Sequence, residues 1–100
     1  MSRFRLSEAA DSDLRKIAEE TFQRRGENQR DSYLAAMFEA FERLAKAPDI
    51  AMELASVRKG YRKFPQGSHV IFFRKSAIHG IEIIRVLHKR MDVEAKLSSP

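Results

Sequence analysis

The chain has no cysteine and no tryptophan, and among its 100 residues only four are glycine and three proline. Without thiols there is no disulfide framework, no thiolate nucleophile and no thiolate metal site, a composition that suits a reducing cytosol. The glycines are too few and too scattered for a Gly-rich phosphate loop. Gly60, Gly67 and Gly80 each fall at a predicted strand boundary, where turn geometry accounts for them. No spacing of His, Asp and Glu matches a metal site, and no cofactor is implied. The acidic pairs Asp11/Asp13 and Glu19/Glu20 suit helix capping and a solvated helix face. No apolar run approaches the ~20 residues of a membrane-spanning helix. The opening MSRFRLSEAA lacks the hydrophobic centre of a secretory signal, so a cytoplasmic protein with no membrane partner is expected.

A hydrophobic content of 43% is enough for one compact domain spanning residues 1–100. The net charge of +5 is unevenly placed. Met1 to Val57 carries nine Lys/Arg against eleven Asp/Glu, whereas Arg58 to Arg90 carries nine against the single acid Glu82. Such a field steers an acidic protein surface or a phosphate backbone toward the C-terminal half, or keeps a partner-dependent sheet soluble. Sequence-specific recognition of DNA is not expected, because the predicted helices carry mixed charge and no basic face.

Periodicity supplies the elements. Phe4-Arg5-Leu6 reads as a brief edge strand, and Ser7 as the N-cap of a helix with Glu8, Asp11 and Asp13 near its positive end. Leu14, Ile17, Ala18 and Phe22 form that helix's apolar stripe, and Gly26 ends it. A second helix opens at Glu27 or Asn28, buries Leu34, Met37, Phe38, Phe41, Leu44 and Ala45, and stops at Ala47-Pro48. Residues 49–57 read as a loop. Tyr61 to Phe64 alternates as a strand, with Pro65-Gln66-Gly67 as a turn. Val70 to Phe73 and Ile81 to Leu87 then form an antiparallel hairpin around Ser76 to Gly80. The expected fold is α+β: a helical hairpin packed on a small curled antiparallel sheet, in the order β-α-α-β-β-β with a short C-terminal segment near 92–97. Both hairpin runs are apolar at odd and even positions alike, so both faces of the sheet need covering, and the second is expected to await a partner.

The stretches Phe4-Arg5-Leu6-Ser7, Ala9-Ala10, Asp13-Leu14, Phe41-Glu42-Arg43-Leu44-Ala45 with Pro48, Gly60-Tyr61-Arg62, Gly67 to Arg74 and Ile81 to Asp92 occur in an order and spacing that resembles the ParE branch of the RelE/ParE toxin superfamily. The resemblance implies the same α+β fold and a type II toxin active in plasmid stabilisation or a related system. It also implies neutralisation by a ParD-like antitoxin whose acidic, disordered tail folds on binding. The antitoxin contacts implied are Leu14, Ile17, Phe38, Arg62, Phe72, Arg74, Ile83 and Arg85. DNA gyrase is the implied target, blocked by binding without catalysis through Arg85, His88, Lys89, Arg90 and Met91. The alternative, from the RelE branch, is ribosome-dependent mRNA cleavage. That chemistry needs a proton acceptor and cations for the phosphorane, roles open to His88 and to Arg62, Arg85 and Arg90. Against it, the last strand and tail hold no tyrosine, and Tyr33 and Tyr61 are distant in sequence. His88 also reads as a hydrogen-bonded packing residue, and His69 and His79 as solvent-facing.

Overall fold

The computed structural model describes residues 3–54 and 60–91. The elements run β1 (Phe4–Leu6), α1 (Glu8–Arg25), α2 (Glu27–Lys46), a 3-10 turn (Pro48–Ile50), β2 (Met52–Glu53), β3 (Tyr61–Gln66), β4 (His69–Ser76) and β5 (Gly80–His88). The expected segment at 92–97, and the cations Arg58 and Lys59, lie outside the described residues.

Helix α1 starts where a capping side chain meets an amphipathic stripe. The Ser7 hydroxyl accepts the Ala10 N–H at 3.0 Å, satisfying an N-terminal amide that the helix itself leaves unpaired. Ala10, Asp13, Leu14 and Ile17 form its buried face. The stripe stops there: Phe22 is exposed, with the Arg30 guanidinium 5.3 Å from its ring centre. Gly26 is at once the C-cap of α1 and the residue before α2, with φ of 85°, a left-handed value that costs glycine little. A connection of one residue folds the helices back so that Leu14 and Ile17 share a core with Met37, Ala40, Phe41 and Leu44. These four α2 residues follow the three- and four-residue steps of one helical face. Phe38 sits at the stripe's edge and stays 38% exposed.

The sheet has five strands in the order β1-β5-β4-β3-β2. It departs from the expected antiparallel arrangement at one edge, where β1 pairs parallel to β5. No tight turn joins these two strands, so their relative direction is set by how the helices return the chain to the sheet. Met52–Glu53, expected as loop, pairs with Lys63 and Arg62 as a second edge strand, too short for alternation to announce it. β3 continues through Pro65 to Gln66, two residues beyond the expected boundary.

A bulge divides β5. Phe72 pairs with Arg85 while Phe73 pairs with Ile83, which leaves Ile84 as the extra residue. Ile81, Ile83 and Val86 therefore face the helices with Ile71 and Phe73, while Ile84 and Leu87 face away beside Val70, Phe72 and Tyr61. The shift of one residue accounts for the adjacent apolar pairs Ile83-Ile84 and Val86-Leu87. The second face is less bare than the sequence suggests. Phe72 is 1% and Leu87 2% exposed, packed with Tyr61, Leu54, Val70 and Ile84 within the chain itself.

Phe41 is fully buried at the junction of both helices and β1, with its ring 5.3 Å from both Phe4 and Phe38. Phe41→Ala is expected to lower stability by about 3–5 kcal/mol, measured by urea unfolding, through lost burial and a residual cavity. Phe38→Ala, at the exposed edge, should cost well under half as much.

Candidate functional site

The cationic residues at the end of the sheet are held in two different ways. Arg85 is turned inward against α1: its Nε donates to Asp13 Oδ2 and its Nη2 to Asp13 Oδ1, both at 2.8 Å. Asp13 Oδ2 also accepts the Val86 backbone N–H at 2.9 Å. One carboxylate thus takes three hydrogen bonds from consecutive residues of β5, at a site where only 8% of the Asp13 side chain and 23% of Arg85 are exposed. The Asp13 hydrogen bond raises the Arg85 pKa above its ordinary value despite opposing desolvation. A step along the chain, the Ser7 hydroxyl donates to Ile84 O at 2.7 Å and the Ser7 N–H to Ile83 O at 3.0 Å. The bulge is pinned from both sides.

Arg62 lies on β3, separated from Arg85 by β4, and serves a different network. Its Nη2 contacts Glu53 Oε1 at 3.0 Å and Asp49 Oδ1 at 3.3 Å, and its Nη1 donates to Ala51 O. Arg74, across β4, pairs with Glu82. Lys89 and Arg90 are exposed on the turn that follows β5, closed by the Met91 N–H donating to His88 O at 2.9 Å. Met91 is 47% exposed. The structure therefore gathers His88, Lys89, Arg90 and Met91 at one edge, but it does not bring Arg62, Arg85 and Arg90 together. Of the expected antitoxin contacts, Leu14, Ile17 and Ile83 lie in the helix-facing core and Phe72 under the second face, so in this conformation they offer almost no surface. Phe38 and Arg74 do.

Sequence reasoning missed a cluster beside this edge. Tyr33 of α2 reaches His69 at the start of β4, with its hydroxyl 2.6 Å from His69 Nδ1, and the same oxygen accepts the Ser68 N–H at 3.0 Å. His69 stands directly across the sheet from His88, their ring centres 5.5 Å apart. His69 is thus half-buried and bonded, not solvent-facing as expected. Gly67 makes the approach possible, since a Cβ there would lie 2.7 Å from the Tyr33 ring. The only signals for this in sequence were the turn glycine and the register of the hairpin; Tyr33 gave none, being 36 residues from His69. Burial, followed by repulsion from His88, lowers the His69 pKa from its ordinary 6.5, against smaller opposing effects of Glu20 and Asp13. Among the described residues no group of three or more His, Asp or Glu is arranged to hold a metal ion, and no helix is long and apolar enough to cross a membrane.

Two measurements test this geometry. Asp13→Ala leaves a largely buried guanidinium and the Val86 N–H without their acceptor, and should lower stability by about 3–5 kcal/mol in urea unfolding. For His69 the sign follows from its lowered pKa. Above pH 6.5 native and unfolded chains are both neutral there and full stability is present. As pH falls below that value the unfolded chain takes up the proton first, so stability declines until the lower native pKa is reached. Between about pH 7.5 and 5.5 the unfolding midpoint of wild type should fall more than that of His69→Gln.

Known proteins place this architecture. The family model described as ParE toxin of type II toxin-antitoxin system, parDE, matches residues 4–93. Toxin ParE1 of Mycobacterium tuberculosis is 41% identical over 96 residues, covering 96% of this chain and 98% of that protein. Toxin ParE1 of Caulobacter vibrioides is 37% identical over 97 residues, covering 97% and 99%. A structure of the chromosomal ParDE toxin–antitoxin system from P. aeruginosa shares the fold with a TM-score of 0.73 at 18% identity, over 88% of this chain and 96% of that one. The RelBE2 toxin–antitoxin complex of Mycobacterium tuberculosis gives 0.61 at 25% identity, over 88% and 98%. From the helical pair on a five-stranded sheet to the matched residues 4–93, the chain belongs to the ParE toxin family of type II toxin–antitoxin systems.

Proposed function

We propose that the protein is a toxin that acts by binding, with DNA gyrase as its target, and that a ParD-like antitoxin neutralises it. The observation that carries the binding reading is the disposition of the arginines. Arg85 is committed to Asp13 and Arg62 to Asp49 and Glu53, on opposite sides of β4, so two of the three arginines expected to serve phosphodiester cleavage with His88 are engaged apart. What the basic edge does expose is a short cationic turn, Lys89-Arg90, beside the partly apolar Met91. That combination suits recognition of an acidic protein surface or of the DNA a gyrase holds. Its relatives of known structure come from toxin–antitoxin systems, which supports an antitoxin partner here. Exposed Phe38 and Phe22 on the helices, and Arg74 on the sheet, are surfaces for a partner with apolar and acidic side chains.

Purified protein is expected to inhibit supercoiling by purified gyrase and to leave ribosome-bound mRNA intact. Lys89→Ala/Arg90→Ala should raise the half-inhibitory concentration by about tenfold or more at an unchanged melting temperature, because both side chains are solvent-exposed. Ribosome-dependent mRNA cutting that disappears with His88→Ala, together with undisturbed supercoiling, would overturn the proposal in favour of the RelE-type activity.

A further inference from the structure

Beside the basic edge, a cleft of about 270 Å³ opens between the last turns of α1, the start of α2, the start of β4 and the end of β5. Its walls include Arg24, Arg25, Gln29, Ser68, His69 and His88. These groups have their donors free. Among the described residues neither Arg24 nor Arg25 enters an ion pair, and no hydrogen bond engages the Gln29 amide or the Ser68 hydroxyl. The imidazoles fall into line with them. His88 Nδ1 accepts the Arg90 backbone N–H at 3.2 Å, so a neutral His88 carries its proton on Nε2. The single phenolic proton of Tyr33 has a 2.6 Å contact to His69 Nδ1 and a 3.3 Å contact to Gln66 O. Assigned to the shorter contact, it makes His69 Nδ1 an acceptor and places the His69 proton on Nε2 as well. Each ring thus turns its Nδ1 to a protein partner and keeps an N–H in reserve.

The same space holds neutral acceptors too, the Gln29 amide oxygen and the Thr21 hydroxyl oxygen, whose proton goes to Ile17 O at 2.7 Å. Glu20 is the one carboxylate on the wall, one turn before Arg24, with which it makes no ion pair. A cleft lined by two unpaired guanidinium groups, an amide, a hydroxyl and two imidazole N–H groups, with one carboxylate, is built for a small oxyanion that accepts many hydrogen bonds. One side of it is fixed by the Tyr33, Ser68 and His69 contacts, with Gly67 against the Tyr33 ring.

We infer that this cleft binds a phosphoryl group, free or as the phosphate of a mononucleotide, held by Arg24 and Arg25 with His69 and His88 as further donors. The cleft shares His88 with the basic edge, but Lys89 and Arg90 line no part of it, and a binding titration reads its occupancy without reference to what the toxin inhibits.

The test is an NMR titration at constant ionic strength, following the carbon-bound ring protons of the three histidines while inorganic phosphate, adenosine 5′-monophosphate or adenosine is added. His79 lies on the β4–β5 turn away from the cleft and serves as the internal control. The expected result is a saturable shift of His69 and His88, half-complete below about 10 mM, with His79 unmoved. Arg24→Gln/Arg25→Gln should weaken that binding by about tenfold or more, whereas Arg5→Gln/Arg15→Gln, which removes the same charge elsewhere on the exposed surface, should leave it within about twofold. Phosphate and the nucleotide binding alike would identify free phosphate as the occupant, and a nucleotide at least about tenfold tighter would identify a mononucleotide. No saturable shift, equal shifts of all three histidines, equal loss in both double variants, or adenosine binding as well as its monophosphate would each overturn the inference.

Discussion

The carboxylate of Asp13 is the interaction on which the rest of the molecule depends. It stands on the buried face of α1, where an amphipathic pattern alone would place an apolar residue, and accepts hydrogen bonds from the Arg85 side chain and the Val86 backbone. A carboxylate out of water is costly unless its charge is paired and its lone pairs are filled, and β5 meets both requirements at once. The bond set also works as a register pin. A slip of β5 by one residue would take Arg85 and the Val86 N–H away from Asp13 and carry Ile81, Ile83 and Val86 off the core face. Packing of apolar side chains, which has no direction of its own, could not discriminate between registers so sharply.

The bulge at Ile84 is the geometric counterpart of that pin. An unbroken β5 would send alternate residues to alternate faces, and Ile83 and Val86 could not both face the helices. The extra residue shifts the alternation, turns Arg85 toward α1 and presents the Ile84 carbonyl to the Ser7 hydroxyl. Ser7 therefore joins three elements: it ends the parallel pairing of β1, caps α1 and holds the bulge. The same shift seats Leu87 beside Phe72 and Tyr61 beneath the second face, so that part of this surface is already occupied by the chain's own side chains. A partner settling on this protein has more to gain from the exposed ring of Phe38 and the guanidinium of Arg74 than from the sheet's interior residues.

Function divides along the same line. Arginines bonded into the fold, Arg85 and Arg62, are structural cations whose charge is largely cancelled by nearby carboxylates. Lys89, Arg90, Arg24 and Arg25 pair with no acid among the described residues and project the field that a binding partner or an anion would feel. The histidines stand between these groups. His88 ends the strand that Asp13 anchors and also lines the cleft, so strand register and the chemistry of the basic edge are set by the same element.

How much of this was legible in the sequence depends on the distance over which each feature is decided. The Ser7 cap, the stripe through Phe41 and Leu44, the stop at Gly26 and the hairpin from Val70 to Leu87 were all readable, because helix and strand periodicity act between residues a few positions apart. The placement of charge in the C-terminal half is a property of composition and needed no fold. The parallel pairing of β1, the two-residue strand β2, the bulge at Ile84 and the contacts Asp13 to Arg85 and Tyr33 to His69 were not readable. Those partners are separated by 72 and 36 residues, and no local pattern reports which distant group will meet which. The sequence by itself therefore determined the elements, their order and the sign of the field. Only the tertiary structure decided which cations are spent on holding the fold and which are left to bind, because a charge's role is set by the neighbour that packing brings to it.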